Sequence, residues 1–302
     1  MSDTVYNPSL GSKHPPGQSH DDFPRSTGAS SMEIVLEPGR HDLYYWRDLW
    51  RYRELFRMLA WRDVAVRYKQ TVIGALWALI RPLITMIVFT IIFGRLAHLP
   101  SNGAPYALMV FAGMLPWSLF STALTDASNS LVNSANLISK IYFPRIIVPC
   151  AAVAVSLVDF LISLVILALL MVAYRYAPSW EIVFLPGFIA MAFFASLGPS
   201  LWITALNVKY RDFRYIIPFI VQLGLYASPV GFSSSVVPEH WRWVYALNPM
   251  VGVIDGFRWC ILGPEQGLDL NSLLVGAAVT AAFLVFGITY FRRTERSFAD
   301  LV

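Results

Sequence analysis

Two ionisable side chains, Arg81 and Asp159, stand deep inside long uncharged stretches of this 302-residue chain. Desolvating a charge there is costly, so each marks either a working position or a paired one. Arg81 precedes Pro82 about a third of the way into its stretch and can snorkel to the inner headgroups. Asp159 lies near the middle of its stretch, out of that reach, and needs a polar neighbour, a water-filled cavity or a proton. It serves either as glue between helices or as part of a pathway. A proton relay needs a second deep carboxylate or histidine, and none accompanies it. Metal chemistry is not served either. Cys150 and Cys260 form no CxxC and have no histidine nearby, and His14 and His20 are isolated, so no metal site is expected.

The elements that must hold these residues are apolar stretches at Val72 to Phe93, Tyr106 to Thr125, Ile146 to Tyr174, Ile182 to Val208, Tyr215 to Phe232 and Leu270 to Phe291. Each is long enough to cross about 30 Å of hydrocarbon as a helix. Composition agrees: 56% of residues are hydrophobic and 14% charged, and mean hydropathy is +0.55. The fold class read from this pattern is an all-α membrane protein with six transmembrane helices. Of 23 lysines and arginines, only Arg95, Arg175, Arg242 and Arg258 fall outside if the N-terminus is cytoplasmic. Short cytoplasmic loops retain positive charge, so both termini are assigned to the cytoplasm. The formal net charge of +4 belongs mostly to residues flanking the spans, where anionic membrane lipids account for it. Nucleic acid is excluded as a partner.

Residues 1–40 are rich in Pro, Ser, Gly, Asp and His without apolar period and are expected to be disordered. No apolar segment of signal-peptide type follows Met1, so the first span is expected to direct insertion. From 41 to 62 the pattern is an amphipathic interface helix. Leu49, Tyr52, Leu55, Phe56 and Leu59 share one arc, with Arg47, Arg51, Arg53, Glu54, Arg57 and Arg62 mostly opposite. This helix is either an anchor alone or also a docking surface for a cytoplasmic partner. The inner segment from Asn129 to Pro149 predicts a short polar helix, then a break at Phe143-Pro144-Arg145, the form of a part that receives a push. On the outer side, Trp241 to Leu262 is apolar and aromatic but interrupted by Asn248-Pro249, Gly252, Asp255-Gly256 and Arg258. It predicts re-entrant helices between spans five and six, serving as an outer gate at Asn248, Pro249 and Arg258.

In order and spacing, the chain resembles the ABC-2 type polysaccharide-exporting permeases, which move O-antigen, capsular polysaccharide or teichoic acid. The resemblance is carried by Arg67-Tyr68-Lys69 with Gly74, Leu76, Trp77 and Pro82; Phe143-Pro144-Arg145 with Pro149; and Asn207 with Tyr210-Arg211-Asp212. It continues in Tyr226 with Ser228-Pro229, Asn248-Pro249 with Phe257-Arg258, and Phe298-Ala299-Asp300. It runs from about Leu55 to the C-terminus and leaves the N-terminal extension outside, so 41–302 is expected to form the ABC-2 type transmembrane domain. The resemblance implies a homodimer in the bacterial inner membrane with two copies of a cytoplasmic ABC ATPase. No G-x-x-x-x-G-K-[ST] loop occurs in the chain, so ATP and Mg are expected on the partner, with no cofactor bound here and no enzymatic activity of its own. It also implies ATPase contact through the interface helix and inner loop. The residues expected there are Arg57, Arg62, Asn133, Asn136, Lys140 and Arg145.

The implied substrate is a lipid-linked polysaccharide, O-antigen before capsular polysaccharide or teichoic acid. Sugar rings stack their C–H faces on aromatics, and 15% of residues are aromatic. Trp77, Phe89, Trp117, Phe120, Trp202, Phe219 and Tyr226 are the channel candidates. Trp117 and Tyr226 lead because each has a proline and a serine close by. Two alternatives remain at this point. A drug or lipid exporter would share the topology, and a membrane-embedded glycosyltransferase would need an acid such as Asp255 or Glu265.

Overall fold

A computed structural model describes residues 47–295 apart from 48, 70, 71, 139, 142 and 211, together with 298; for 72–79 it describes the backbone alone. The expected N-terminal extension, 1–40, lies outside the described residues. Those described are helices joined by turns, with no strand among them.

Helix α1, Arg53–Lys69, carries Leu55, Phe56 and Leu59 of the expected apolar arc, with Leu49 and Tyr52 just before its start, and ends seven residues later than Arg62. Its arc does not face lipid. Leu59 is buried, and Leu49, Tyr52, Leu55 and Phe56 pack with it on Leu131, Phe143, Ile146, Ile147, Phe291 and Phe298. Helix α2, Val72–Phe89, continues into a π-helical turn, Thr90–Leu96. Helix α3, Tyr106–Asn133, starts after Pro105 and runs past the expected end at Thr125. The serines and asparagines from Ser128 to Asn133 therefore extend α3 rather than forming a separate polar helix. The short helix that follows is α4, Ala135–Ile138, and the chain breaks before Phe143-Pro144-Arg145 as the proline predicts.

Helix α5 is Ile147–Ala173. A 3₁₀ turn, Trp180–Phe184, leads into α6, Leu185–Lys209, whose second residue is Pro186. Helix α7, Phe213–Ala227, stops before Ser228-Pro229 because a residue preceding proline is pushed to extended backbone. Residue Ser228 adopts φ −103°, ψ 153°. Helices α8, Glu239–Tyr245, and α9, Pro249–Leu262, form the segment expected on the outer side, and α10 is Leu270–Thr294.

Four described helical segments have the length and apolarity to cross a membrane: Tyr106–Asn133, Ile147–Ala173, Trp180–Lys209 and Leu270–Thr294. The expected fifth span is shorter than its apolar stretch. At 1.5 Å per residue α7 covers about 22 Å, less than the roughly 30 Å of hydrocarbon. The protein is a multi-pass membrane protein.

Helix α3 is central and buried along most of its length, packed by α5, α6, α7 and α9. Helices α5, α6 and α10 keep most of their apolar surface outward, as a lipid solvent requires. Helix α6 lies against α10 with backbones nearly touching: a Cβ on Gly198 would stand 2.7 Å from the Leu284 nitrogen, and one on Gly287 would overlap the Gly198 carbonyl. Small residues permit this approach, and packing rather than water drives it.

Candidate functional site

At the end of the bundle where α10 begins, Asn248 and Pro249 set the start of α9. The Asn248 side chain accepts from the Met250 N–H at 3.0 Å and donates to Ser228 Oγ at 2.9 Å, while Pro249 fills the first helical position, where no N–H is needed. Gly263 ends the helix at φ 92°. Helix α9 is buried on nearly every face, and Val253, Ile254, Phe257 and Cys260 are wholly inaccessible.

Arg258, expected as part of an outer gate, is 2% exposed. Its guanidinium donates to three backbone carbonyls: Met109 at 3.0 Å, Phe232 at 2.8 Å and Val230 at 2.8 Å. These tie α9 to α3 and to the non-helical chain after α7. The planar fork of arginine suits three fixed acceptors. Gly113 makes room for it, because a Cβ there would lie 2.5 Å from Arg258 Nη2. Without that guanidinium, the irregular backbone carbonyls of Val230 and Phe232 would lack donors in an apolar interior.

At the opposite end of the bundle three segments meet. The Arg145 N–H donates to Glu295 Oε1 at 2.6 Å and Arg145 Nη1 to the Glu295 carbonyl at 2.7 Å. Phe298 is buried and packs edge-to-face on Phe291 at 5.5 Å. The break after α4 is thereby fastened to the end of α10. Buried Asn207 donates to the Ser128 carbonyl at 2.7 Å, and Thr204 to the Ala127 carbonyl at 2.9 Å, joining α6 to α3. Arg57, Arg62, Asn133, Asn136 and Lys140 are exposed on this side. Arg57 pairs with Glu54 at 2.9 Å and Arg62 with Asp63 at 2.8 Å, exposed ion pairs of small energetic weight.

Between the two ends lies a cluster that the sequence reading did not assemble. Arg67 of α1 donates through Nη1 to Asp159 of α5 and through Nη2 to Asp126 of α3, and the Tyr68 hydroxyl donates to the other Asp159 oxygen. The partner that Asp159 requires is thus an arginine from the interface helix. Burial and the Asp159 carboxylate push the Tyr68 phenol above its ordinary pKa, so it acts as a donor. Asp126 stands one residue beyond the expected second span, and Arg67-Tyr68 belongs to the motif at the end of α1. Sequence offered those hints singly. Arg81 is exposed on α2. Among the described residues no group of three or more His, Cys, Asp or Glu side chains is placed to hold a metal.

The aromatic candidates divide. Phe89 and Trp117 are buried inside the protomer, Phe89 edge-on to Phe93 at 5.4 Å and Trp117 beside Phe120 at 5.3 Å. Trp117 fits because Gly224 has no side chain; a Cβ there would be 2.6 Å from its ring. Phe120 and Trp202 are half-buried, and Trp202 packs on Phe286. Phe219 and Tyr226 are 65% and 60% exposed, along one side of α7 with Tyr215 and Leu223. The Trp77 side chain, Arg211, Ala299 and Asp300 lie outside the described residues.

A bundle of apolar helices around one central helix, with buried polar latches at both ends and basic residues on one side, defines a polytopic membrane transport domain. The family profile of the ABC-2 type transporter matches residues 54–262, and the chain belongs to that family. It is similar to the O-antigen export system permease protein RfbA of Myxococcus xanthus, 27% identical over 258 residues covering 85% of this chain and 98% of that protein. The like-named protein of Klebsiella pneumoniae is 24% identical over 82% of this chain and 95% of its own. The polysialic acid transport protein KpsM of Escherichia coli is 23% identical over 78% and 92%.

Proposed function

We propose that this chain is the membrane permease of an ATP-driven exporter that moves lipid-linked polysaccharide, O-antigen first among the candidates, out of the cytoplasm. The carrying observation is the family match over 54–262 together with near full-length similarity to permeases named for O-antigen export. In this reading two copies pair around a channel in the bacterial inner membrane, and two cytoplasmic ABC ATPase subunits bind ATP and Mg. Both termini are cytoplasmic. Six spans follow if α2 with its π-helical end and the shortened α7 join the four long helices, with α8 and α9 re-entering from outside. The Arg258 latch supports that arrangement, since irregular backbone at membrane depth must be satisfied by protein.

The ATPase surface in this proposal comprises Arg57, Arg62, Asn133, Asn136, Lys140 and Arg145. Phe219 and Tyr226 are the channel aromatics that exposure favours, because a polymer sliding at a dimer interface touches side chains that the single protomer leaves open. The test is to purify the permease with its ATPase and compare ATP hydrolysis with lipid-linked polysaccharide against free drugs. Stimulation by the glycolipid supports the reading. Stimulation by drugs alone replaces it with a drug exporter.

A further inference from the structure

We propose that Arg67, Tyr68, Asp126 and Asp159 form an ionic clamp that makes the interface helix move as one body with α3 and α5, so that force received on α1 reaches the transport path. The inference deepens the permease reading and rests on it. One guanidinium spans two helices: Nη1 bonds Asp159 and Nη2 bonds Asp126, with Tyr68 on the remaining Asp159 oxygen. The side chains are 22–33% exposed, so the pairs are sheltered from full solvent screening.

Position gives the clamp its use. At about 1.5 Å per residue, Asp159 stands roughly 18 Å along α5 from Ile147, and Arg67 roughly 12 Å along α1 from Leu59. Leu59 itself packs on Ile147 and its neighbours. Helix α1 therefore runs beside α5 and is fixed twice, by its apolar arc at the inner end and by the clamp farther in. An apolar contact alone is non-directional and lets helices slide. A forked arginine bonded to carboxylates on two separate helices fixes register and distance. The exposed basic face of α1 lies on the same rigid piece, so a push there cannot be absorbed between α1 and the spans. These residues are positioning residues; none is asked to touch the cargo.

The experiment uses the full permease–ATPase complex with Cys150 and Cys260 replaced by alanine. Spin labels go on the exposed positions Trp61 and Val165, and their separation is measured with and without a non-hydrolysable ATP analogue. The clamp predicts one narrow separation in both states, and a broadened or shifted one in Arg67→Gln. In parallel, Arg67→Gln and Arg67→Asp should lower export about tenfold while basal ATP hydrolysis stays within about twofold, the size of a typical coupling. The exchange Arg67→Asp with Asp159→Arg again sets one arginine between two carboxylates, and should recover export. A change of several ångströms between the labels when nucleotide binds the intact clamp overturns the proposal. So does wild-type export in Arg67→Gln. If Arg67→Gln does not accumulate, the label pair in the unmutated complex still decides. The clamp is judged by label separation and the cargo by export from the unmutated complex, so failure of one is distinguishable from failure of the other.

Discussion

Arg258 is the most exacting single position around α9, and Arg258→Met isolates its role. Methionine fills much of the volume but removes the donors to Met109, Val230 and Phe232. Met109 lies inside α3 and keeps its intrahelical donor, so the carbonyls of Val230 and Phe232 are the two stranded; at about 1–3 kcal/mol each they give roughly 2–6 kcal/mol. Relief from burying a guanidinium offsets part of that and places the net loss near the lower end, about 2 kcal/mol. At about 1.4 kcal/mol per factor of ten, local opening around α9 should rise roughly thirtyfold. Cys260 reports it, since it lies on α9 and is fully buried. With Cys150 replaced by alanine, labelling of Cys260 by a membrane-permeant maleimide should accelerate by about that factor in Arg258→Met. Arg258→Lys should fall between, because one ammonium cannot serve three carbonyls through a planar fork. A wild-type labelling rate in Arg258→Met would refute the latch.

Further outcomes follow from the same contacts. Gly113→Ala should also speed Cys260 labelling, because its Cβ would stand 2.5 Å from Arg258 Nη2. Asn248→Ala should lose about 1 kcal/mol from the α9 cap, read as a smaller acceleration in the same assay. Gly198→Leu forces α6 off α10, since even a Cβ would meet backbone at 2.7 Å, and should abolish accumulation of folded protein in membranes. Phe219→Ala with Tyr226→Ala should leave accumulation unchanged, because both rings are exposed in the protomer, but reduce export several-fold.

What the sequence revealed and what it concealed divide along the range of the interactions involved. The apolar arc of α1 was legible because it has helical period, and the structure packs those five residues together. The end of α7 was misjudged because apolarity continues to Phe232, although Ser228-Pro229 carries the signal for the stop. Arg258 looked like a gate charge because local sequence shows an arginine in an outer segment. The carbonyls that hold it come from α3 and from the turn after α7, far along the chain. Asp159 announced a need for a partner, yet Arg67 is separated from it by 92 residues. Trp117 drew notice through its neighbouring proline and serine, whereas its burial is decided by the space at Gly224.

The central claim is export of a finished glycan, and disruption of the gene tests it most directly. Fractionated cells should accumulate polymer in the cytoplasm and lose it from the surface, with both restored by the wild-type chain supplied in trans. Surface polymer at normal levels in the disrupted strain would contradict the account.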